Sequence, residues 1–356
     1  MSSVLSKKLV RQLKRLNAES LGILILLALH YLKRLRAYEQ VFENWPVVVL
    51  TELRDGERIP VKVNRVSTYL GKELLVYLMS VKYTGNLRNL KLNRSTTLIN
   101  GDLFENDDCN PISTALSNRG WITKDSCIEK DGIKFSAHTN LAALYETFEL
   151  EQYPIPVKGR EVVDIGANTG DSCIYFIAKG AKKVIALEPL PNVYQVAVKN
   201  VELNGLTSRI DLNMAAIGVK GGVIDVPGDV SIPQSGGFST MKSGGNVVVP
   251  VLTIREILSK LEDPYLLKID CEGCEYDLLE HCYDDVKRFE ELVLEVHPGI
   301  TMKSASKIFK ILKRDYELQV MPVAGERYVI GIVHARKRRA RRESDHSRDL
   351  LPLDTI

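Results

Sequence analysis

The segment VVDIGANTGDS, residues 162–172, constrains the fold of this chain more than any other stretch. Two apolar residues lead into Asp164, Gly166 and Gly170 bracket a short loop, and Ser172 to Lys179 reads as the start of a helix. The next apolar run, VIALEP, ends in an acid at Glu188. Strand, glycine-rich turn, helix, strand and terminal acid make the first half of a mononucleotide-binding βαβ unit. A chain built on that unit forms a mostly parallel sheet with helices on both faces.

The details of the turn discriminate between ligands. A nicotinamide fingerprint needs G-x-G-x-x-G, so that backbone N–H groups can approach a diphosphate. Here Asn168 stands in place of the central glycine, and Asp164 ends the strand two residues before the first glycine. A carboxylate pressed against a diphosphate is repelled. S-adenosylmethionine carries no phosphate, and its methionine end bears an ammonium and a sulfonium that suit an acid. Glu188 can accept both ribose hydroxyls. The competing reading makes Asp164 and Asn168 plain helix caps.

Alternating strands and helices continue to about residue 334. After the strand ending at Asp164 and a helix to about Lys179, strands are expected at 183–188, 209–214, 222–226, 246–251, 265–270 and 291–296. Helices are expected at 192–203, 253–261, 274–282 and 302–313. The last two strands, near 316–322 and 327–334, are joined through Gly325 and read as an antiparallel hairpin at the sheet edge. Upstream, VVVLTEL and Ile59 to Val63 alternate like strands around Arg54-Asp55-Gly56 and predict a hairpin. Residues 66–83 read as helical, 84–125 as loop, and 131–150 as two short elements leading to Tyr153.

The ends differ from this core. Leu5, Leu9, Leu13 and Leu16 recur at helical spacing among Lys7, Lys8, Arg11, Lys14 and Arg15, and LGILILLALHYL follows at 21–32. That run falls short of the roughly 18–20 apolar residues a span requires, and it lacks the small-residue cleavage site of a signal peptide. Two readings stand for residues 1–40: helices packed on the main domain, or an interfacial helix held to anionic lipid by its basic flanks. The tail 335–356 opens with ARKRRARR and reads as a solvated, basic, disordered segment or a polyanion contact. The net charge of +3 is too small to argue for nucleic acid. The expected organisation is a helical segment at 1–45, an accessory region with hairpin and helices at 46–150, a catalytic domain at 151–334 and the tail. Oligomeric state is not legible.

Six cysteines, at 109, 127, 173, 271, 274 and 282, do not form a disulfide framework, so a reducing, cytoplasmic interior is expected. Cys173 and Cys282 fall in apolar helical patterns and read as buried small hydrophobes. Cys271-x-x-Cys274 invites a redox or zinc reading. It lacks a second Cys/His pair to complete four ligands, and it lies inside an acidic motif rather than opening a helix directly.

That motif is LLKIDCEGCEYDLLE, residues 266–280. Asp270 sits at the carboxyl end of a buried strand, where open α/β sheets bind ligands. Glu272 and Glu275 follow into a helix N-terminus, which also suits them as plain first-turn acids. Lys268, inside the strand, needs an acid on a neighbouring strand. Glu295 and His297 reach the same edge, with Pro298 and Gly299 ending the strand. Methyl transfer requires an aligned acceptor whose proton is removed or masked. The candidate catalytic residues are Asp270, Glu272 and His297. A divalent metal on Asp270 and Glu272 would have no third ligand, so no metal is assigned.

With both clusters in view, residues 145–300 resemble the FkbM family of S-adenosylmethionine-dependent methyltransferases. The resemblance rests on ETFELEQYPIPVKGREVVDIGANTGDS, GAKKVIALEPLPNVYQVAVKNVELNG, NMAAIG, VVVPVLTIREIL and LLKIDCEGCEYDLL, in that order. The KIDCEGCE block is the specific one. Cys271 and Cys274 depart from the small aliphatic and alanine usual there. The resemblance implies a class I methyltransferase fold, a seven-stranded Rossmann-like sheet with an antiparallel terminal hairpin, and methylation of an oxygen on a natural product or sugar. It also implies S-adenosylmethionine contacts at Asp164, Gly166, Asn168, Gly170, Glu188 and Pro189, with Ala167 and Asp171 in the same turn and Ala216 near the adenine. It supplies no catalytic base. The alternatives are a nicotinamide oxidoreductase, disfavoured by the missing glycine and by Asp164, and a non-catalytic module, disfavoured by the intact Asp164, Gly166, Glu188 and Asp270. The acceptor pocket is expected among 84–150 and 228–245, with GGFST at 236–240 lining it or forming a plain loop.

Overall fold

The computed structural model describes residues 35–53, 57–83, 87–232, 244–297, 305–321 and 331–338. The apolar run 21–32, GGFST, Gly325 and the tail from residue 339 lie outside the described residues, whereas residues 335–337, expected to open the disordered tail, belong to the last strand of the sheet and pair with its neighbours. The first part comprises α1 (Trp45–Leu53), the hairpin β1 (Arg58–Val63) and β2 (Val66–Gly71), and α2 (Lys72–Tyr83). An antiparallel sheet of β3 (Leu90–Leu92), β4 (Thr96–Ile99) and β5 (Asp102–Glu105) follows, then α3 (Pro111–Asn118). A second antiparallel sheet, β6 (Ile122–Lys124), β7 (Cys127–Lys130) and β8 (Ile133–Ser136), leads to α4 (Leu141–Phe148).

Three upstream expectations are corrected here. VVVLTEL is helical, not extended. An unbroken apolar run does not distinguish a strand from a helix, and Pro46 in the first turn favours the helix. The hairpin is β1–β2, turning at Asn64 and Arg65, whose φ values of 49° and 66° suit a tight hairpin turn. Residues 66–71 are therefore strand, with helix only from Lys72. The described part of 84–125 carries one small sheet, a helix and the first strand of a second sheet, because strands of three or four residues are too short to show a period.

The second part builds the main sheet from β9 (Glu161–Ile165), α5 (Asp171–Ala178), β10 (Lys183–Leu187), α6 (Pro191–Leu203) and β11 (Ile210–Asn213). Next, β12 (Ala216–Ile217), β13 (Gly222–Val226) and β14 (Val247–Leu252) form a small sheet of their own. The chain then runs through α7 (Ile254–Leu258), β15 (Pro264–Ile269), α8 (Cys274–His281), α9 (Tyr283–Val286) and β16 (Glu291–Val296). It ends in α10 (Ala305–Leu312), β17 (Tyr316–Met321) and β18 (Gly331–Lys337). The seven strands run β11-β10-β9-β15-β16-β18-β17, and β18 is antiparallel to both of its neighbours. This is the class I methyltransferase sheet expected from the sequence, terminal hairpin included.

The topology positions the site. From β9 the chain winds outward to β10 and β11, then crosses back to β15 and winds the other way. The strand order thus reverses between β9 and β15, and their carboxyl ends border a crevice. Every residue of β9 is buried, which fits a central parallel strand covered on both faces. Gly166 comes directly after it. A Cβ at Gly166 would lie 1.8 Å from the Asp270 carbonyl oxygen, so glycine is required for β9 and β15 to exit side by side.

The upstream region shares the core of the sheet. Trp121, Phe135, Phe148, Tyr175 and Phe176 form a chain of edge-to-face and tilted rings from β6–β8 to α5. Asn200, fully buried on α6, accepts from the Ser136 N–H at 2.7 Å and donates to the Thr139 hydroxyl and the Thr169 carbonyl. One amide thereby satisfies groups from β8, the following loop and the glycine-rich turn.

Candidate active site

Lys268 and Asp164 stand directly opposite each other in the β9–β15 register. The Lys268 ammonium lies 2.9 Å from the Asp164 carboxylate and donates to the Gly166 carbonyl at 2.9 Å. Burial alone would lower the lysine pKa, but Asp164 and Asp270 more than reverse this and raise it, so the lysine keeps its charge. Asp164 also accepts from the Ser172 hydroxyl at 2.6 Å. Asp164 therefore does not stand open for a cofactor cation. Its charge is met by Lys268, and the pair braces the turn from beneath.

The crevice above is a cleft of about 590 Å³ counting its open mouth. Ile165, Leu187, Leu190, Ala215, Ala216 and Ile217 give it apolar walls, and Gly166, Asn168, Glu188, Pro189, Asp270, Cys271 and Glu272 complete the lining. Glu188 is buried, accepting from the Asn168 N–H at 3.0 Å and the Leu190 N–H at 2.9 Å. Burial pushes its carboxyl up to about 8, against the two backbone hydrogen bonds. Of the cofactor residues expected from sequence, Gly166, Asn168, Glu188, Pro189 and Ala216 line the cleft. Asp164, Ala167, Gly170 and Asp171 lie behind it as supports. Asp171 is buried and accepts from the Thr147 hydroxyl at 3.0 Å, and burial pushes its carboxyl up to about 6.

At the other end of the cleft, Asp270, Glu272 and His297 come together, with ligand atoms all within 4.8 Å of one another. Asp270 leaves β15, and Glu272 and Gly273 follow with φ values of 56° and 121°, turning the chain sharply into α8. His297 leaves β16. Its Nε2 lies 3.3 Å from Glu272 and its Nδ1 3.3 Å from Glu275. Glu275, fully buried, accepts from the Gly273 N–H and the His297 N–H, both at 2.9 Å, and so ties α8 to the end of β16. Burial alone would lower the His297 pKa, whereas Glu275, Glu272 and Asp270 raise it to about 10. Sequence reasoning left Glu275 open between a site acid and a plain first-turn acid. Its position beside His297 depends on β15 and β16 running parallel and in register.

The cysteine reading is corrected here. Cys271 and Cys274 form a disulfide across the start of α8, and Cys274 is the first residue of that helix, so the pair does open it directly. Their Cα atoms, 5.6 Å apart, fall within bridging range. Cys173 is buried as expected, whereas Cys282 is only half-buried.

Comparison with known proteins follows the same lines. Residues 164–318 match the family described as the methyltransferase FkbM domain. Hexuronic acid methyltransferase AglP of Haloferax volcanii is 23% identical over 174 residues, covering 47% of this chain and 68% of that protein. Ribosomal protein L11 methyltransferase of Sorangium cellulosum is 26% identical over 68 residues, 19% of this chain. The chain spans only 22% of the length of that second relative. Among solved structures, M. capricolum TrmK in complex with S-adenosyl-homocysteine is 14% identical, covering 57% of this chain and 72% of that one, with a TM-score of 0.35. The O-methyltransferase from Bacillus cereus, also solved with S-adenosyl-homocysteine, is 11% identical over 64% of this chain and 90% of that one, with the same TM-score of 0.35.

Two outcomes test this account. Replacing Lys268 by Met leaves the buried Asp164 carboxylate unpaired, which is expected to cost about 3–5 kcal/mol in urea unfolding, with partial recovery in the Lys268→Met/Asp164→Asn double variant. The second concerns pH. Glu188 and Asp171 are both raised, so the folded chain holds protons that the unfolded chain has released. Their contribution is fully present below about pH 4 and is lost as pH rises toward about 8, with a slope of up to about 1.4 kcal/mol per pH unit per group. Urea midpoints measured from pH 4 to 9 should fall over that window. The fall above pH 6 should be smaller in Glu188→Gln.

Proposed function

We propose that this chain, which carries a methyltransferase FkbM domain over residues 164–318, transfers a methyl group from S-adenosylmethionine to a hydroxyl oxygen of a sugar, glycan or other small hydroxylated molecule. The observation that carries this reading is a single cleft with a buried carboxyl at one end and a carboxylate–imidazole corner at the other.

The residues fit the cofactor on their own chemistry. Glu188 is held by two backbone N–H groups, one on each carboxylate oxygen. Each oxygen keeps a lone pair for a ribose hydroxyl. Leu187, Leu190 and Ala215 to Ile217 offer a flat base an apolar wall. S-adenosylmethionine supplies, when bound, an electrophilic methyl carbon on a sulfonium. The remaining chemistry falls to the chain. Asp270, Glu272 and His297 form the corner where an acceptor hydroxyl would be oriented. Asp270, the most accessible of the three, is the group assigned to take the hydroxyl proton as the new C–O bond forms and the C–S bond breaks, its electron pair going to sulfur. His297, set between Glu272 and Glu275, holds the Glu272 side of the corner in place.

A sugar acceptor is supported by the hexuronic acid methyltransferase among the relatives. Against a nicotinamide cofactor, the Asn168 N–H in the turn already donates to Glu188 and is not offered to a diphosphate. Against a non-catalytic module, grouping two acids at the cleft with a buried histidine beside them is costly without a ligand. We assign the chain to the cytoplasm, with 1–45 and 46–150 as additions to the catalytic part and residues 1–40 as a peripheral contact with anionic lipid. No helix among the described residues is long and apolar enough to cross a membrane. Flotation with anionic vesicles should be stronger for the full chain than for one starting at Asn44, and equal flotation would remove the lipid assignment.

The central test is calorimetric titration with S-adenosylmethionine, with NADH in parallel. The expected result is micromolar binding of S-adenosylmethionine alone, weakened at least tenfold in Glu188→Ala, followed by transfer of labelled methyl to hydroxylated sugars. Tight NADH binding instead would overturn the reading.

A further inference from the structure

Sequence reading left a metal at the acidic motif with two ligands, Asp270 and Glu272. The structure brings a third. The His297 Nε2 lies 3.3 Å from the Glu272 carboxylate, and one donor atom from each of Asp270, Glu272 and His297 falls within 4.8 Å of the others. Glu272 and His297 are buried, and Asp270 is partly exposed at the cleft. This is a mixed imidazole–carboxylate donor set from three separate chain positions, not a solvated acidic patch.

A second feature concerns the far side of the same imidazole. The His297 Nδ1 faces the Glu275 carboxylate at 3.3 Å. Glu275 is fully buried and itself fixed by the backbone N–H groups of Gly273 and His297. Metal-binding histidines characteristically direct the other ring N–H to such a carboxylate, which fixes the tautomer and aims the remaining nitrogen at the ion. Lys268, 3.8 Å from Asp270, is itself paired with Asp164 at 2.9 Å.

We propose that Asp270, Glu272 and His297 bind one divalent cation at the acceptor end of the cleft, oriented by Glu275, and that the acceptor presents two adjacent oxygens to it. One imidazole and two carboxylates suit an ion such as Mn²⁺. Three protein ligands leave coordination positions open, as a catalytic site requires. A diol or a hydroxy-carboxylate edge of a sugar fills two of them. The cation lowers the pKa of the bound hydroxyl, so its proton passes to water at the open mouth, and Asp270 then serves as ligand rather than as base. The inference rests on the methyltransferase reading for its substrate class, though ion binding is measurable without it.

Full-length protein is stripped with EDTA, exchanged into chelator-free buffer and titrated with MnCl₂ by calorimetry. Bound manganese is counted by elemental analysis after desalting, and S-adenosylmethionine is titrated in parallel. One Mn²⁺ per chain is expected. Its affinity should fall at least tenfold in Asp270→Asn and Glu272→Gln, and about tenfold in Glu275→Gln, which is not a ligand but holds the imidazole and the Gly273 and His297 N–H groups in place. Glu262→Gln, at the exposed opposite end of the sheet, should bind as wild type does. Circular dichroism checks each fold, and Asp270→Asn keeps the test open if a buried variant fails to fold. Wild-type protein that binds S-adenosylmethionine but retains no Mn²⁺, Mg²⁺ or Zn²⁺ would overturn the metal site and leave the methyltransferase reading standing. Mn²⁺ held equally by folded Asp270→Asn and Glu272→Gln would also overturn it. Binding of neither ligand would overturn both.

Discussion

The ion pair between Lys268 and Asp164 is the constraint around which this molecule is arranged. It lies where the two central strands face each other, fully buried, and its ammonium also holds the Gly166 carbonyl. Two buried charges are tolerable only when each is the other's partner and their remaining hydrogen-bonding capacity is met. Ser172 meets part of that need for Asp164, and the ring of Tyr153 lies 5.6 Å from the ammonium. The turn, the first helix after it and the exit of β15 are thus pinned to one point. The cleft opens directly above.

From that point the two ends of the cleft follow different physical rules. The cofactor end is mostly apolar, with one buried carboxyl whose two oxygens are each held by a backbone N–H. The other end is charged, and its parts come from three segments: the exit of β15, the first turn of α8 and the exit of β16. Glu275 joins the last two through the backbone, while the Cys271–Cys274 disulfide closes the loop that carries Glu272. Such a corner can be rigid while Asp270 at its rim stays accessible.

Much of the fold was legible because the main sheet is made of long, strongly patterned strands. EVVDI, KVIAL, YLLKI and ELVLEV each read as buried parallel strands, and in each case the structure agrees within a residue or two. The upstream region was less legible. WPVVVLTEL is apolar enough for either state, and its helix buries Val48 while leaving Val47 and Leu50 outside. The short strands of 90–130 are set by pairing with each other and by aromatic packing, neither of which leaves a local period. At the site, Glu188 and Asp270 could be placed because strand-terminal acids are a local signal. Glu275 was hidden because a first-turn acid has an ordinary explanation in the helix dipole.

The sequence by itself determined the order and type of the sheet elements, the glycine-rich turn and the positions of the acids at the strand ends. Each of these follows from short-range periodicity and turn chemistry. Only the tertiary structure decided how those acids are used. Asp164 is spent on a lysine 104 positions later in the chain. His297 meets Glu272 and Glu275 because parallel register brings the carboxyl ends of β15 and β16 to one level. The reason is physical: a charge takes the partner that burial places beside it, and burial depends on strands far apart in the chain.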